Sequence, residues 1–482
     1  MKNKKILVNI ILTLLILLAI VLIHWQLGSN NIINLKVSTY IGAMVNLFCI
    51  ISTITIEKKL TSPYTIFQIF SLIFLYGLLI CEQILNFKPN DMFDLSILVT
   101  EENEILACFL IMYSQLFLQL GVMSEKLISN RESNNDKNSE KNDEKLEKTV
   151  LRKTGYVLIM ISFLPAIYDF IVNLRVAIVY GYSGLSQNAT YGFSSVFDKL
   201  VPFFQMGLYL LLVGYKDEKN KCKFIFFFTI IFYGVQILFG NRGIPLIAVV
   251  VTIWLYHTAI KKVAPRILII CCILILPLSI LINVIREVRV SFGIKDWINN
   301  IGEIAKSSVS DNNPILESIY EMGGAIYPTA YAIKVIPDEI DYKYGKNYLL
   351  GILSVVYINT SNSVTNFANE INIAAEMSEH SGAPFGGSYI QEAYANFGWF
   401  SVIFFFIIGI ILEKINIKIE CRKNLISIVL IAYFLNPFLW TVRNVMITLP
   451  RELVWYILPT YLLYRLIMNG EKKKERSECI EK

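Results

Sequence analysis

Five arginines in this sequence lie close to the ends of long apolar segments, where a side chain can reach a membrane surface. A guanidinium group presents a planar fork of donors that matches phosphate bidentately, whereas the lysine ammonium acts as a point charge. An alternative is that each arginine pairs with a nearby acid, such as Glu287 or Glu452, or extends to lipid headgroups. The residue types predict a phosphate-binding group that consists of Arg242, Arg286, Arg289, Arg443 and Arg451.

A second set of residues could exchange a proton or a hydrogen bond. Glu392 and Asn396 precede an apolar segment at a spacing of i, i+4, which predicts that both lie on one helix face. Glu321 stands before a pair of glycines, and His380 could titrate near neutral pH. A solvated loop histidine is the other interpretation of His380. No cluster of His, Cys, Asp or Glu in the sequence has the spacing of metal ligands.

Composition shows which elements must position these residues. The chain has 482 residues, of which 55% are hydrophobic and only 17% are charged, and its mean hydropathy is +0.54. A soluble domain is less apolar and carries about 25% charged residues. The apolar residues fall in blocks whose length matches a hydrocarbon core of about 30 Å. This pattern excludes a soluble enzyme, a nucleic-acid-binding protein and a secreted disulfide scaffold.

The apolar blocks predict an all-α integral membrane protein with about 12 transmembrane helices. The first nine precede a large loop, and the last three follow it. The predicted spans are residues 6–23, 37–56, 64–85, 105–123, 156–180, 200–213, 224–239, 244–260, 267–285, 397–412, 425–440 and 453–468.

The distribution of basic residues predicts the orientation of these spans. Segments on one side of the membrane hold 30 of the 44 lysines and arginines, which marks that side as cytoplasmic. Both termini are then cytoplasmic, and the loop between spans nine and ten is extracytoplasmic. The predicted organisation is a four-span segment (1–123), a charged cytoplasmic loop (124–153), central spans (154–285), the extracytoplasmic loop (286–396), C-terminal spans (397–468) and a cytoplasmic tail (469–482).

The charged loop 124–153 contains too little apolar material to fold alone, so we expect it to be a tether. The extracytoplasmic loop is different, because loops of more than about 15 residues are usually functional. It contains the motifs YEMGG (320–324), IP (336–337), YKYG (342–345) and PFGGSYIQEAYANFG (384–398), together with an apolar piece at 348–358 that is too short to span a membrane.

These motifs, the turn FGNRG at 239–243, and the closing pair of spans joined by a link that contains Arg443 and Arg451 resemble the O-antigen polysaccharide polymerase family of the Wzy type. The resemblance covers roughly residues 155–470. It implies a membrane glycosyltransferase with a GT-C-like fold that uses no metal and no other cofactor. Such an enzyme acts at the outer face of the cytoplasmic membrane. There it joins undecaprenyl-pyrophosphate-linked oligosaccharide repeat units into O-antigen, capsular or other surface polysaccharide.

For this function, the five arginines are expected to bind the substrate pyrophosphate, because preorganised cations stabilise developing negative charge. The catalytic base is expected to be Glu392, with Glu321 as the second candidate and His380 as the third. The expected partners are lipid-linked oligosaccharides, the bilayer, a flippase and a chain-length regulator, and no nucleic acid. The residues expected to contact the glycan are Tyr344, Tyr394 and Asn396.

Two other functions stay open on the sequence alone. A ligase would transfer finished glycan to an acceptor that is not a repeat unit, and composition does not separate it from a polymerase. A flippase or transporter of lipid-linked oligosaccharides would suit twelve spans. Transporters usually carry internal repeats and helices broken at mid-membrane, and no repeat relates the two halves of this chain. The long outer loop favours a reaction at the outer surface.

Overall fold

The computed structural model is helical in the part of the chain that it describes, where it contains no strand. The predicted span 267–285 lies outside that part, as do Arg242, Arg286 and Arg289. The described residues are 2–30, 34–89, 95–132, 141–187, 193–238, 243–263, 313–353, 355, 372–383, 386–420 and 424–480.

The helices of the N-terminal half begin at local capping signals. Asn34 caps the second helix by accepting the N–H of Val37, and Ser62 together with Pro63 starts the third. The third helix contains two π-helical turns, Leu72–Tyr76 and Ile80–Ile84. In chain order the helices are α1 (Lys2–Asn30), α2 (Leu35–Glu57), α3 (Pro63–Ile84), α4 (Glu101–Glu132), α5 (Lys141–Gln187), α6 (Phe193–Gly214), α7 (Lys219–Leu238) and α8 (Gly243–Ile260).

The C-terminal half contains short helices before its long ones. One 3₁₀ turn, Gly323–Ala325, joins the first two of these helices, and another, Gly398–Phe400, leads into the long α14. The last helix is preceded by the short turns Leu449–Glu452 and Leu453–Ile457. The helices are α9 (Pro314–Met322), α10 (Ile326–Val335), α11 (Lys346–Leu353), α12 (Ile373–Ser381), α13 (Tyr389–Phe397), α14 (Ser401–Glu420), α15 (Leu425–Trp440) and α16 (Leu458–Ile480).

Eight helical segments of the described chain are long and apolar enough to cross a membrane, and each overlaps one predicted span. Three further predicted spans coincide with α7, the 16-residue α15, and the turn Leu453–Ile457 with the start of α16. The prediction of an all-helical integral membrane protein is therefore confirmed. The count of twelve spans and the orientation stay predictions.

The chain forms two compact units. The first comprises Met1–Lys137, Leu316–Cys421 and Thr441–Arg451, and the second comprises Asn138–Ile315, Arg422–Trp440 and Glu452–Lys482. The described helices α10 to α13 of the predicted outer loop therefore belong to the first unit, as does the link at 441–451.

In the first unit, α4 and α14 cross with their backbones in contact. A Cβ atom on Gly121 would lie 2.1 Å from the carbonyl oxygen of Phe406, and one on Gly409 would lie 2.2 Å from that of Leu118. Small residues at such a crossing are typical of membrane helices. Interhelical hydrogen bonds add to this packing, since the Tyr64 hydroxyl donates to Gln119 Oε1 at 2.6 Å.

In the second unit, α5 and α6 approach in the same way. A Cβ on Gly155 would lie 3.1 Å from the carbonyl oxygen of Gly207. The start of α15 is held by Glu147 of α5, whose Oε1 accepts the N–H of Ile426 at 3.1 Å. A buried carboxylate thus satisfies one of the unpaired amides at a helix N-terminus.

Residues 124–153, predicted to be a tether, are helical at both ends. α4 continues to Glu132, and α5 begins at Lys141. Lys148 lies 3.2 Å from Glu144 one turn away and 2.5 Å from Asp217, and Lys216 lies 2.5 Å from the same Glu144. These ion pairs with the turn after α6 provide support that the local composition does not reveal.

Candidate functional site

The short helix α13 forms the centre of the site in the first unit. It is started by a capping box, in which Ser388 Oγ accepts the N–H of Gln391 at 3.0 Å and Gln391 Oε1 accepts the N–H of Ser388 at 3.3 Å. It ends at Gly398, whose φ of +55° lies in a region that favours glycine. All its residues from Tyr389 to Asn396 are buried. The PFGGSYIQEAYANFG motif thus builds a fixed internal element.

Glu392 lies inside this element, with 0% of its surface exposed. Its Oε2 accepts a short hydrogen bond from the backbone N–H of Met446. Its Oε1 is buried without a hydrogen-bond partner among the described residues. The Tyr348 hydroxyl is buried and unpartnered in the same sense, and burial followed by the Glu392 carboxylate raises its pKa. Glu392 therefore faces the protein interior.

Asn396 fastens the YKYG turn to the end of α13. Its side-chain oxygen accepts the N–H of Gly345 at 3.0 Å, and its carbonyl accepts the N–H of Tyr344 at 3.0 Å. Gly345 has a φ of +80°, and Tyr344 has a φ of +49° although it is not glycine. Glycine adopts such an angle without steric cost, whereas for Tyr344 it costs free energy and persists only where the surroundings enforce it.

Of the three predicted glycan contacts, the described structure exposes only Tyr344, whose side chain is 81% exposed. Its ring lies 6.1 Å from that of Tyr342, which lies 6.3 Å from that of Tyr394. Tyr394 is 3% exposed and Asn396 is 0% exposed, so both support the turn from within.

Arg443 and Arg451 lie on the link at 441–451, which is fastened to the start of α13. The N–H of Tyr389 donates to the carbonyl of Thr441 at 2.9 Å, and Glu392 binds Met446 on the other side of Arg443. The Arg443 guanidinium carbon lies 6.0 Å from the centre of the Phe74 ring of α3. Arg443 is half-buried, and Arg451 is exposed. The two arginines that the structure describes are thus carried by one short segment.

Glu321 belongs to the YEMGG motif, which packs against α3. A Cβ on Gly323 would lie 1.9 Å from the backbone nitrogen of Leu78, so only glycine fits this contact. Glu321 is half-buried. The preceding Tyr320 donates its hydroxyl to Glu82 Oε1 at 2.7 Å. The motif therefore places Glu321 beside the same helix, α3, that Arg443 approaches.

His380 lies at the end of α12 between two partners. Its Nδ1 is 2.9 Å from the Tyr331 hydroxyl, and its Nε2 is 3.3 Å from Glu339 Oε2. Which ring nitrogen donates and which accepts depends on the tautomer. Burial, followed by the Glu339 carboxylate, raises the pKa of Tyr331. Both ring nitrogens therefore lie close to a polar side chain.

The structure brings Glu392, Asn396, Tyr344 and the arginine link together around α13. His380 is connected to the same turn through Lys343, whose ammonium lies 2.6 Å from Glu376 of α12. Sequence reasoning missed Met446 because a backbone amide leaves no signal in the residue type. Among the described residues, no group of three His, Cys, Asp or Glu side chains could hold a metal ion.

Comparisons with known proteins agree with the motifs around α13. No curated protein and no solved structure matches the chain. A protein-family model described as O-antigen polysaccharide polymerase Wzy matches residues 6–474. The match includes the first four predicted spans, which contain none of the motifs that carry the resemblance. Because the match spans nearly the whole chain, this protein belongs to the O-antigen polysaccharide polymerase Wzy family.

Proposed function

We propose that this polymerase transfers a growing glycan from a polyprenyl pyrophosphate to the sugar of an incoming lipid-linked repeat unit, and that arginines hold the departing pyrophosphate. Membership of the family establishes the polymerisation of lipid-linked repeat units into polysaccharide. We propose further that the lipid is undecaprenyl and that the reaction occurs at the outer face of the cytoplasmic membrane. The product is O-antigen, capsular or another surface polysaccharide.

The reaction has two chemical requirements. The bond between the anomeric carbon of the growing glycan and the pyrophosphate oxygen breaks, and the oxygen of an acceptor hydroxyl forms the new glycosidic bond. The pyrophosphate leaves with the bonding electrons, so its charge must be stabilised. The acceptor hydroxyl loses its proton, which a base or the departing pyrophosphate takes up. Cations fixed in advance at a developing anion are commonly the largest catalytic contribution.

The single observation that carries this proposal is the way in which the arginine link is held. Arg443 lies between two fastening points on α13, Thr441 bound by Tyr389 and Met446 bound by Glu392. A segment fastened on both sides keeps its cation in place before substrate arrives, which lowers the reorganisation that the transition state demands. We propose that Arg451, on the same link, belongs to the pyrophosphate site. The phosphate-binding role of Arg242, Arg286 and Arg289 stays a prediction from the sequence, because these residues lie outside the described part of the chain.

Burial and position rank the three candidates for the proton acceptor. Glu392 is fully buried, and Nδ1 of His380 lies 2.9 Å from the Tyr331 hydroxyl. Glu321 is half-buried beside α3, which Arg443 also approaches. We therefore propose Glu321 as the proton acceptor, with His380 as the second candidate. Tyr344 is proposed to contact the glycan, with Tyr394 and Asn396 holding its turn in place.

The remaining features of the enzyme follow from the same proposal. We propose twelve spans with cytoplasmic termini, an extracytoplasmic site and a GT-C-like arrangement. Arginines in place of a divalent cation make the reaction independent of metal. A flippase supplies the repeat units, and a chain-length regulator acts on the product.

Deletion followed by analysis of lipid-linked glycan tests the function. A polymerase deletion leaves single repeat units on the lipid at the outer face of the membrane. Repeat units trapped on the cytoplasmic side would assign the protein as a flippase, and long polymer still attached to lipid would assign it as a ligase. Re-expression of the wild-type chain must restore long glycan.

A further inference from the structure

We propose that Glu392 is a positioning residue, whose buried carboxylate holds the segment 441–448 so that Arg443 faces the pyrophosphate. The statement about Arg443 rests on the proposed function. The statement about the segment rests on geometry alone.

The first argument is the arrangement of contacts around Arg443. Glu392 Oε2 binds the N–H of Met446 three residues after Arg443, and Tyr389 binds the carbonyl of Thr441 two residues before it. Gly387 gives a third contact, since a Cβ there would lie 3.1 Å from Val445 Cγ1. Of these contacts, only the one from Glu392 is made by a side chain whose removal leaves the backbone of α13 unchanged.

Glu392 is also closed off from solvent, with 0% of its surface exposed. A Cβ on Gly351 of α11 would lie 2.5 Å from Ile447 Cγ1, so α11 packs directly on the residue after Met446. Tyr348 of the same helix stacks on Phe404 of α14 at 5.1 Å. A substrate hydroxyl could therefore reach the carboxylate only if the packing around it moved. A bond from a backbone amide to a carboxylate is stronger than one between neutral groups, which suits a fastening role.

Two substitutions of Glu392 separate the loss of its charge from the loss of its hydrogen-bond acceptor. Glu392→Gln keeps an oxygen that can accept the Met446 N–H, whereas Glu392→Ala leaves this buried amide without a partner. We expect E392Q to polymerise within about threefold of wild type, and E392A to lose about tenfold to a hundredfold in rate. The measurement is polymerisation of purified lipid-linked repeat units in vesicles. Equal loss in E392Q and E392A would overturn the proposal, because it would show that the charge or a proton is needed.

The donor can be removed independently of the acceptor. Val445 has φ −78° and ψ 148°, and Met446 is the first residue of a 3₁₀ turn, so proline fits at position 446. Met446→Pro deletes the N–H and should reproduce the loss seen in E392A. Met446→Ala, which keeps the N–H, is the matched control and should remain near wild type. Normal polymerisation by M446P would overturn the proposal even if E392A failed to fold.

Coupling to Arg443 separates positioning from general stability. If Glu392 acts through Arg443, E392A adds little to the loss already caused by Arg443→Lys in a double-mutant cycle. The buried Glu413 of α14 provides the control, since E413Q should combine additively with R443K. Full additivity of E392A with R443K would overturn the positioning role while leaving the phosphate site intact.

A disulfide reports the position of the segment without any substrate. Gly387→Cys with Val445→Cys, in a chain whose native cysteines are replaced by alanine, places two thiols in contact, and V445C removes the methyl that the new Cβ would meet. We expect efficient oxidation with Glu392 or E392Q and a clear loss with E392A. Unchanged oxidation in E392A would overturn the proposal. If E392A prevents the disulfide but R443K polymerises normally, Glu392 holds the segment and Arg443 does not bind the pyrophosphate.

Discussion

Two buried carboxylates lie near opposite ends of the helical run Tyr389–Ile419, and they are satisfied in different ways. Glu413 lies 3.3 Å from the ammonium of Lys126, which also pairs with Glu57, and all three side chains are at most 5% exposed. Glu392 has no cationic partner in the described part of the chain and is bound by a backbone amide.

The difference separates two uses of buried charge. At the Glu413 end, one cation serves two carboxylates and joins α2, α4 and α14, so removal of Lys126 leaves two buried carboxylates without a cation. At the Glu392 end, the carboxylate holds a segment that carries arginines, and among the described residues it forms no ion pair. We therefore expect substitutions at the Glu413 end to change stability and substitutions at the Glu392 end to change the reaction.

The largest expected effect on the reaction is at the arginines. Arg→Lys keeps the charge and loses the paired donors, which should cost about 2.7–4 kcal/mol of transition-state stabilisation, or roughly a hundredfold to a thousandfold in rate. We expect this at two or more of the five positions, with Arg443 and Arg286 among them. Glycan chain length is measured at matched membrane levels of protein. Normal chain length in all five single lysine variants would refute the phosphate site.

At the Glu413 end, Lys126→Met should leave two buried carboxylates without their cation and destabilise the protein by about 3–5 kcal/mol. Thermal unfolding in detergent measures the change. The control is the triple variant K126M/E57Q/E413Q, which should recover much of the loss because no buried charge remains. If K126M melted like wild type but failed to polymerise, the expectation that the Glu413 end affects stability and the Glu392 end affects the reaction would be wrong.

The contact of α4 with α14 lies between these two ends, and we expect its effect on stability to depend only on side-chain size. Gly121→Ala places a Cβ against the backbone of Phe406 and should cost about 1–3 kcal/mol of stability. Gly234→Ala is the matched control, because nothing lies within 4 Å of its added Cβ. Unfolding midpoints of the two variants are compared at equal detergent and lipid content. Equal midpoints would show that α4 and α14 can move apart at this contact without loss of stability.

Local patterns predicted the membrane-spanning elements well, because hydropathy and length are properties of consecutive residues. The motifs PFGGSYIQEAYANFG and YKYG end in Gly398 and Gly345, which both adopt positive φ. The helical ends of segment 124–153 were missed because their ion pairs involve residues such as Asp217, far along the chain.

The site was harder to predict than the spans. The interior position of Glu392 was missed because its partner is the backbone amide of Met446, 54 residues away. The engagement of His380 depends on Tyr331, 49 residues away, and on Glu339. Residue types indicate which groups could take part in chemistry. Whether those groups are accessible depends on contacts that form only in the folded protein.

The smallest expected effect is at Tyr344, the exposed side chain of the Glu392 end. Tyr344→Ala should weaken the binding of the acceptor glycan by about 0.5–1.5 kcal/mol, a few-fold rise in its KM, because an aromatic ring offers a rigid apolar face. Tyr344→Phe keeps that face and is the control, which should bind like wild type. Since the side chain is 81% exposed, neither variant should change the unfolding midpoint. A lowered midpoint in Y344A with an unchanged KM would assign the residue to the turn alone, and the Glu392 end would then contact substrate only through its arginines.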